Sequence, residues 1–397
     1  MDSIVLTEKQ EQGLRIAIER YKNKEPYTVI AGFAGTGKST LVSRIIQALG
    51  LEPHEVCFVA YTGKAALVLK NKGNLNAKTA HRLLYKHIPK GDGTYIRQII
   101  PVLPPYKVIV VDEVSMLPRD MWELLLSHKI YVLALGDPGQ LPPVVAERDN
   151  HVLDHPHIFL DQVMRQAQDS GIIRLTMDIR EHKPLQYMKS DDVQIVSKSE
   201  YLAHPGMIKW ADQILCAKNV TRTEIIQKYR KEVMGIEGFT PVVGDKLICL
   251  RNCWDEPNLI GDCLVNGMIG TLTDFELNKY ENRFYSPSYF GGFLPDYAEE
   301  GEEFLYSFYH LRMDPCIFET GEKMMKTPQD YRRIPDKYRP FEFDYAYAIT
   351  CHKAQGSEYN KVLVFEEFMK GDNQESHARW LYTAATRAKS KLIIVKA

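Results

Sequence analysis

Short, continuously apolar runs rich in Val and Ile recur along the chain at residues 27–31, 56–60, 107–111 and 130–135. Segments with helical spacing of their apolar positions alternate with them, at 39–49, 64–71 and 119–127. A strand that is apolar along its whole length is buried on both faces. Alternation of such strands with helices predicts a parallel sheet covered on each side. A second series follows, with strands expected at 213–217, 361–365 and 391–395 and helices at 172–182, 221–234 and 374–387. The pattern predicts two α/β domains joined near residues 150–160.

Two stretches interrupt the alternation. Residues 84–105 carry a Gly91-Asp92-Gly93 turn between short flanks, which predicts a β-hairpin. Residues 241–340 are richer in aromatics, Gly and Pro, and segments 245–250, 268–275 and 303–311 read as strands of a small β unit.

A length of 397 residues suits two or three domains with ample core. Hydrophobic residues make up 45% and charged residues 25%, an ordinary globular composition. With 50 Lys and Arg against 51 Asp and Glu, bulk charge cannot hold a polyanion, so a nucleic-acid site must be a local groove. Residues 274–303 hold eight acids and two bases, and the acids around 299–303 read as a solvated loop that repels DNA. Seven scattered cysteines without a C-x-x-C pair argue for reduced thiols rather than a disulfide scaffold or a zinc site. His151, His155 and His157 cluster, but no neighbouring ligands complete a metal site. The start MDSIVLTEKQ lacks a basic, apolar leader, and no run approaches the roughly 20 apolar residues of a membrane span. A soluble, cytoplasmic protein is expected.

Gly32-Phe33-Ala34-Gly35-Thr36-Gly37-Lys38-Ser39 is a G-x-x-x-x-G-K-S/T phosphate loop, preceded by a predicted strand and followed by a predicted helix. Glycines let backbone N–H groups turn inward around phosphate oxygens, and the helix N-terminus adds partial positive charge. Gly35, Thr36, Gly37, Lys38, Ser39 and Thr40 are the candidate nucleotide contacts. Lys38 would reach the β/γ-phosphates, and the Ser39 hydroxyl would ligate Mg²⁺. Four apolar residues at 108–111 then drive a strand that ends in Asp112-Glu113. Asp112 can hold Mg²⁺ through water, and Glu113 can polarise the attacking water. The two motifs predict a nucleoside triphosphatase using ATP and Mg²⁺, without saying what hydrolysis drives.

Further motifs decide that. Leu6-Thr7-Glu8-Lys9-Gln10 precedes the first strand, and Ala60-Tyr61-Thr62-Gly63-Lys64-Ala65-Ala66 follows the second. Thr79-Ala80-His81-Arg82-Leu83-Leu84 and Leu135-Gly136-Asp137-Pro138-Gly139-Gln140-Leu141-Pro142-Pro143 come next, then Val163-Met164-Arg165-Gln166. The series ends with Ala348-Ile349-Thr350-Cys351-His352-Lys353-Ala354-Gln355-Gly356-Ser357-Glu358 and Leu381-Tyr382-Thr383-Ala384-Ala385-Thr386-Arg387-Ala388. In order and spacing these motifs closely resemble those of superfamily 1 helicases, in the RecD-like and Dda-like 5′-to-3′ branch, over nearly the whole chain.

The resemblance implies two RecA-like parallel-sheet domains, with a β-hairpin inserted in the first and a small SH3-like β unit in the second. The implied boundaries are 1–150, with the hairpin at 84–105; 151–240 with 341–397; and 241–340 for the inserted unit. Gln10 looks like the adenine-reading glutamine, and Gln140 like a γ-phosphate sensor coupled to the nucleic-acid groove. Arg165 and Arg387 match arginines that approach the γ-phosphate from the second domain, and Glu358 sits where relatives contact the nucleotide sugar. Thr62, Lys64, Thr79, His81, Thr350 and His352 match positions that contact single-stranded DNA. Thr79 also suits a helix cap, and His81 an interior position. The hairpin occupies the place of the strand-separating wedge, where Tyr95 would stack on the last base pair or pack the hairpin down. The aromatics of 241–340 suit the core of a small β barrel better than base stacking.

The resulting expectation is an ATP-dependent DNA helicase moving 5′-to-3′ on single-stranded DNA and acting at single-strand/duplex junctions. It is expected to be a stand-alone monomer, with single-strand-binding or replication proteins as candidate partners. Two rivals are a translocase that strips proteins without separating strands, and a non-motor module whose nucleotide state switches affinity. An RNA helicase is a weaker third, because no residue reads or rejects a 2′-hydroxyl.

Overall fold

The computed structural model describes residues 6–89, 95–142, 150–164, 169–253, 257–260, 262–278, 288–324 and 339–397. Arg165, Tyr285 and the hairpin turn at 90–94 lie outside the described residues, and of Tyr95 only the backbone is described. The chain divides into two compact units, one of residues 1–86, 99–217 and 354–397, the other of 87–98 and 218–353.

The first unit opens with β1 (Tyr27–Gly32), β2 (Val56–Ala60) and β3 (Lys78–Thr79). In chain order a two-stranded ribbon of β4 (Tyr85–Pro89) and β5 (Tyr95–Ile99) comes next, most of it grouped with the second unit, and the first unit resumes with β6 (Val108–Val111), β7 (Tyr131–Gly136) and β8 (Ile158–Leu160). The first sheet has the order β3-β2-β6-β7-β1-β8, with every neighbouring pair parallel. All residues of β6 and β7 are buried, as continuous Val, Ile and Leu require. Alternation then divides them between two cores. Val108 and Val110 pack with Leu41 and Ile45 of helix Lys38–Ala48 and Ala17 of helix Glu8–Lys22. Ile109 and Val111 pack on the opposite side with Leu83, Leu84, Trp122 and Leu125.

The second parallel sheet begins with β9 (Met188–Lys189), β10 (Val193–Val196) and β11 (Gln213–Cys216). The chain then leaves for the second unit. There β12 (Lys246–Cys249), β13 (Ile269–Asn278), β14 (Ser288–Pro295), β15 (Phe308–Met313) and β16 (Phe343–Tyr345) form an antiparallel sheet in the order β15-β14-β13-β12-β16. After β17 (Ala348–Thr350) the chain returns with β18 (Tyr359–Phe365) and β19 (Ala388–Val395). Within the first unit these order as β11-β18-β19-β10-β9, parallel except for β9.

Helix Asn219–Met234 groups with the antiparallel sheet in the second unit. Buried ion pairs hold it there. Arg230 and Asp245 are paired at 2% and 0% side-chain exposure, and Arg230 also donates to the Thr240 carbonyl at 2.6 Å. Arg222 pairs with Asp344 at 2.5 Å. Separating such charges would leave each buried and uncompensated, so helix and sheet behave as one body.

Two strand expectations in the β unit change. Residues 303–311 are not one strand: Glu303–Tyr306 is a helical turn closed by Ser307, whose N–H and hydroxyl donate to the Glu303 carbonyl at 3.0 and 2.8 Å. β14 escaped the sequence reading because Gly291-Gly292 looks like a loop. A Cβ on Gly291 would lie 2.6 Å from the Asp274 carbonyl oxygen, so close approach of β13 requires the glycine. Phe293, Phe308 and Tyr289 fill this unit's core, whereas Phe304 and Tyr309 stay exposed. Packing therefore claims most, not all, of the aromatics.

Candidate nucleotide site and nucleic-acid face

The phosphate loop connects β1 to helix Lys38–Ala48, with Gly35 at φ 75° and Gly37 at φ 78°. Both angles lie in the left-handed region that a side chain disfavours. Gly37 is doubly constrained, because a Cβ there would collide with the Gln10 amide nitrogen. Gln10 is 1% exposed. Its amide oxygen accepts from the Thr7 N–H at 3.0 Å, closing a capping box at the start of helix Glu8–Lys22. Its amide nitrogen donates to the Thr36 carbonyl at 3.2 Å. Gln10 thus braces the loop from behind.

The Lys38 ammonium donates to the carbonyls of Gly32 and Phe33 at 2.7 and 3.0 Å. Burial holds it below the ordinary lysine range, opposed by the negative charges of Asp137, Asp112 and Glu113, while Arg387 adds to the lowering. Asp112 and Glu113 leave the end of β6, and the Asp112 carboxylate accepts from the Glu113 N–H at 3.0 Å. Glu113 sits at φ 50°, a conformation that costs a non-glycine residue free energy and recurs at active sites. Burial pushes both carboxyls above their usual range; Lys38 opposes this at Asp112, and Arg387 opposes it at Glu113. The Arg387 guanidinium lies 3.7 Å from Glu113 Oε1. Lys38, Asp112, Glu113 and Arg387 therefore form one charge cluster, with Arg387 contributed by the start of β19.

Arg387 is 4% exposed and held on several sides. It donates to the carbonyls of Thr383 and Ser357 at 3.1 and 3.3 Å and to the Thr386 hydroxyl at 3.1 Å. Just before Arg165 the chain touches the loop, where the Met164 N–H donates to the Gly35 carbonyl at 3.0 Å. Gln140 is half-buried, its N–H donating to the Asp137 carbonyl at 3.2 Å. Ser39 is exposed at the start of its helix and Thr40 half-buried. Glu358 is exposed and lies 3.6 Å from the Lys389 ammonium, and its negative charge adds to the raising of Asp112.

Among known proteins, an AAA domain model matches residues 6–201, and a UvrD-like helicase C-terminal domain model matches 345–395. The ATP-dependent RecD2 DNA helicase of Deinococcus radiodurans is 40% identical over 154 residues, covering 37% of this chain and 20% of that protein. The ATP-dependent DNA helicase dda of Enterobacteria phage T4 is 32% identical over 146 residues, 35% of this chain and 33% of that protein. The crystal structure of Pif1 helicase from Bacteroides in complex with ADP-AlF3 and ssDNA superposes at a TM-score of 0.53 with 17% identity, covering 99% of this chain and 92% of that one. The chain thus carries an AAA domain and a UvrD-like helicase C-terminal domain, and over the matched parts it resembles the RecD2 and dda helicases. It spans 20 to 38% of the length of the first curated relatives it matches.

The residues expected at the nucleic-acid face fall in both units. In the first, Thr62 and Thr79 cap helices Gly63–Asn71 and Ala80–Leu84, their hydroxyls accepting from the Ala65 and Arg82 N–H groups at 3.2 and 3.1 Å. The Lys64 ammonium donates to the Tyr359 hydroxyl at 3.1 Å and lies over its ring. His81 packs between the rings of Tyr61 and Tyr85, at 5.6 and 6.3 Å. Thr350 and His352 belong to the second unit, where burial lowers the pKa of the half-buried His352.

Several residues with a part in the site were given none from sequence. The Tyr382 hydroxyl donates to Asp137 at 2.7 Å and accepts from the Ala34 N–H at 2.9 Å. The Leu141 N–H donates to the Thr383 hydroxyl at 2.9 Å, and the Gln355 amide donates to the Leu141 carbonyl at 3.1 Å. All sit inside the quoted motifs, so the signal was present without the contact that explains it. Gly356, at φ +74°, packs close to Ala65, Glu113 and Thr62: a Cβ there would lie 2.8 Å from the Ala65 Cβ and 3.2 Å from Glu113 Oε2. Among the described residues no helix is long and apolar enough to cross a membrane.

Proposed function

We propose that the chain is an ATP-dependent DNA helicase that translocates 5′-to-3′ on single-stranded DNA and separates the duplex ahead. The observation that carries this reading is the cluster itself, a phosphate loop and two strand-end carboxylates facing an arginine from the second parallel sheet. The RecD2 and dda relatives are ATP-dependent DNA helicases, and the Bacteroides Pif1 helicase is seen in complex with single-stranded DNA, which supports the same reading.

Buried carboxyls raised by desolvation suit a divalent cation, whose charge would favour their ionised forms. Ser39 and Asp112 would hold Mg²⁺, which when bound neutralises charge on the β- and γ-phosphate oxygens. The chain's residues do the rest. Lys38 exchanges its loop carbonyls for phosphate oxygens. Glu113 orients the attacking water and draws on its proton as the bond to the γ-phosphorus forms and the bond to the departing ADP breaks. Arg387 offsets charge spreading over the transferred group, with Arg165 as the second arginine and Gln140 as the γ-phosphate sensor. Gln10 would present its amide toward adenine and Glu358 would meet the sugar. Thr62, Lys64, Thr79, His81, Thr350 and His352 would hold the strand by its phosphates, which suits a motor indifferent to sequence. Gly356 links the two activities, because it touches both Glu113 and the Thr62 cap.

Strand displacement on matched partial duplexes tests the reading. With ATP and Mg²⁺, the 5′-tailed duplex should open and the 3′-tailed one should not. Opening of the 3′-tailed substrate alone would break the polarity assignment. If neither opens while single-stranded DNA still stimulates hydrolysis, the chain is a translocase. Tyr95→Ala should reduce unwinding several-fold more than DNA-stimulated hydrolysis; parallel losses would remove it as the wedge.

The raised carboxyl at Glu113 sets a pH dependence. Glu113 works ionised, so hydrolysis should be lost on acidification through a pKa above the ordinary glutamate range. Stability runs the other way. A carboxyl with a raised folded pKa binds its proton more tightly when folded, so its contribution falls as pH rises through that value. Melting temperatures of the wild type and Glu113→Gln, taken from pH 4.5 to 8, should converge at the acid end, and a constant difference would contradict the raised pKa.

A further inference from the structure

The phosphate loop is gripped from outside as well as from behind. Its first two variable residues, Phe33 and Ala34, each meet a side chain from helices associated with the second parallel sheet. The Ala34 N–H donates to Tyr382 of helix Gln374–Ala385, as described above. The Phe33 ring lies under the guanidinium of Arg180, whose central carbon is 3.0 Å from the ring centroid. Arg180 ends helix Gly171–Arg180, which packs against helix Gln374–Ala385. The other edge of Phe33 is fixed by Phe159, ring centroids 5.4 Å apart at 84°.

Phe33 is not a passive neighbour of the chemistry. Its carbonyl accepts from the Lys38 ammonium at 3.0 Å and from the Thr36 hydroxyl at 2.7 Å, so any shift of its backbone moves both groups. Burial lowers the Arg180 pKa, with Tyr382 and Asp137 opposing, which marks a cation taken partly out of water beside the cluster. A cation over an aromatic face strengthens as it is desolvated.

We propose that Arg180 is a positioning residue for ATP, acting through the Phe33 ring to hold the phosphate loop in its binding shape. Resting on the hydrolase reading above, this assigns a third arginine to the nucleotide site, one that works on the loop and not on the phosphates. The helix pair carrying Arg180 and Tyr382 thereby fixes the loop from the second sheet at two adjacent residues.

Steady-state hydrolysis with oligo-dT separates the possibilities, using Arg180→Gln, Phe33→Leu and the double variant. Each single change should raise KM for ATP about 3- to 10-fold and leave kcat within about 2-fold, and the double variant should be no worse than the poorer single. Arg180→Lys should recover part of the loss, because it keeps the charge over the ring. Additive effects would mean that Arg180 meets the nucleotide directly, and a fall in kcat with unchanged KM would make it catalytic; either overturns the assignment. So does an unchanged KM in Phe33→Leu, a measurement that stands even if Arg180→Gln does not fold. A wild-type chain that turns over no ATP would sink the hydrolase reading instead, which keeps the two failures apart.

Discussion

Replacing Lys38 by alanine is expected to abolish ATP turnover, by a factor on the order of 10³ or more, while leaving single-stranded DNA binding within a few-fold of wild type. The ammonium is the one cation that the loop itself supplies, and it already bonds two loop carbonyls while facing Asp112, Glu113 and Asp137. Removing it costs twice. The transferred phosphoryl group loses a cation, and Asp112 loses the charge that opposes its desolvation, so it protonates more readily. Steady-state hydrolysis and fluorescence anisotropy with a labelled oligo-dT check both halves. Retained turnover would overturn the phosphate-loop assignment, and loss of DNA binding in proportion would mean that the variant is misfolded.

The second large effect belongs to Arg387. An arginine aimed at the transferring phosphoryl group contributes roughly 10³–10⁵ in rate, so Arg387→Ala should lose hydrolysis by that order while ATP binding falls far less. The structure adds a complication. Arg387 is almost wholly buried and donates to the carbonyls of Thr383 and Ser357. Truncation would leave the Ser357 carbonyl without this donor, at about 1–3 kcal/mol, and Glu113 without the cation 3.7 Å away, whereas the Thr383 carbonyl keeps the Thr386 hydroxyl at 2.9 Å. A thermal melt must accompany the kinetics. Arg387→Lys, which keeps the charge and loses the fork, separates the two roles: a stable variant with deeply reduced turnover identifies the guanidinium as chemical. Equal losses of ATP binding and turnover would make Arg387 structural.

The same geometry suggests how occupancy is sensed. Arg387, Tyr382 and Thr383 all come from the end of helix Gln374–Ala385 or just beyond it. They reach Glu113, the Ala34 amide and the Leu141 amide respectively. A shift of this one segment would be felt at the phosphate loop, the catalytic carboxylate and the loop after β7 together. On the other side, Gly356 packs close to both Glu113 and the Thr62 cap. On the proposed reading, these contacts would give strand binding and hydrolysis a short physical path.

The sequence by itself determined the parallel sheets and the chemistry at their ends. Continuous Val and Ile runs have no stable place except a strand covered on both faces, and β6 and β7 are buried residue by residue as that rule demands. The phosphate loop and Asp112-Glu113 were legible because a glycine-rich loop with lysine before a helix, and paired carboxylates at a strand end, form a local pattern that does not depend on distant packing. Tertiary structure decided the rest. That helix Asn219–Met234 joins the antiparallel sheet follows from Arg230 meeting Asp245, and a buried ion pair leaves no periodic trace. β14 was hidden because its glycines serve a neighbour's backbone rather than their own strand. Tyr382 on Ala34 and Arg180 on Phe33 join positions 348 and 147 residues apart. Local pattern reports what each segment buries, but which buried faces meet is set by the packing of the whole, and these contacts exist only there.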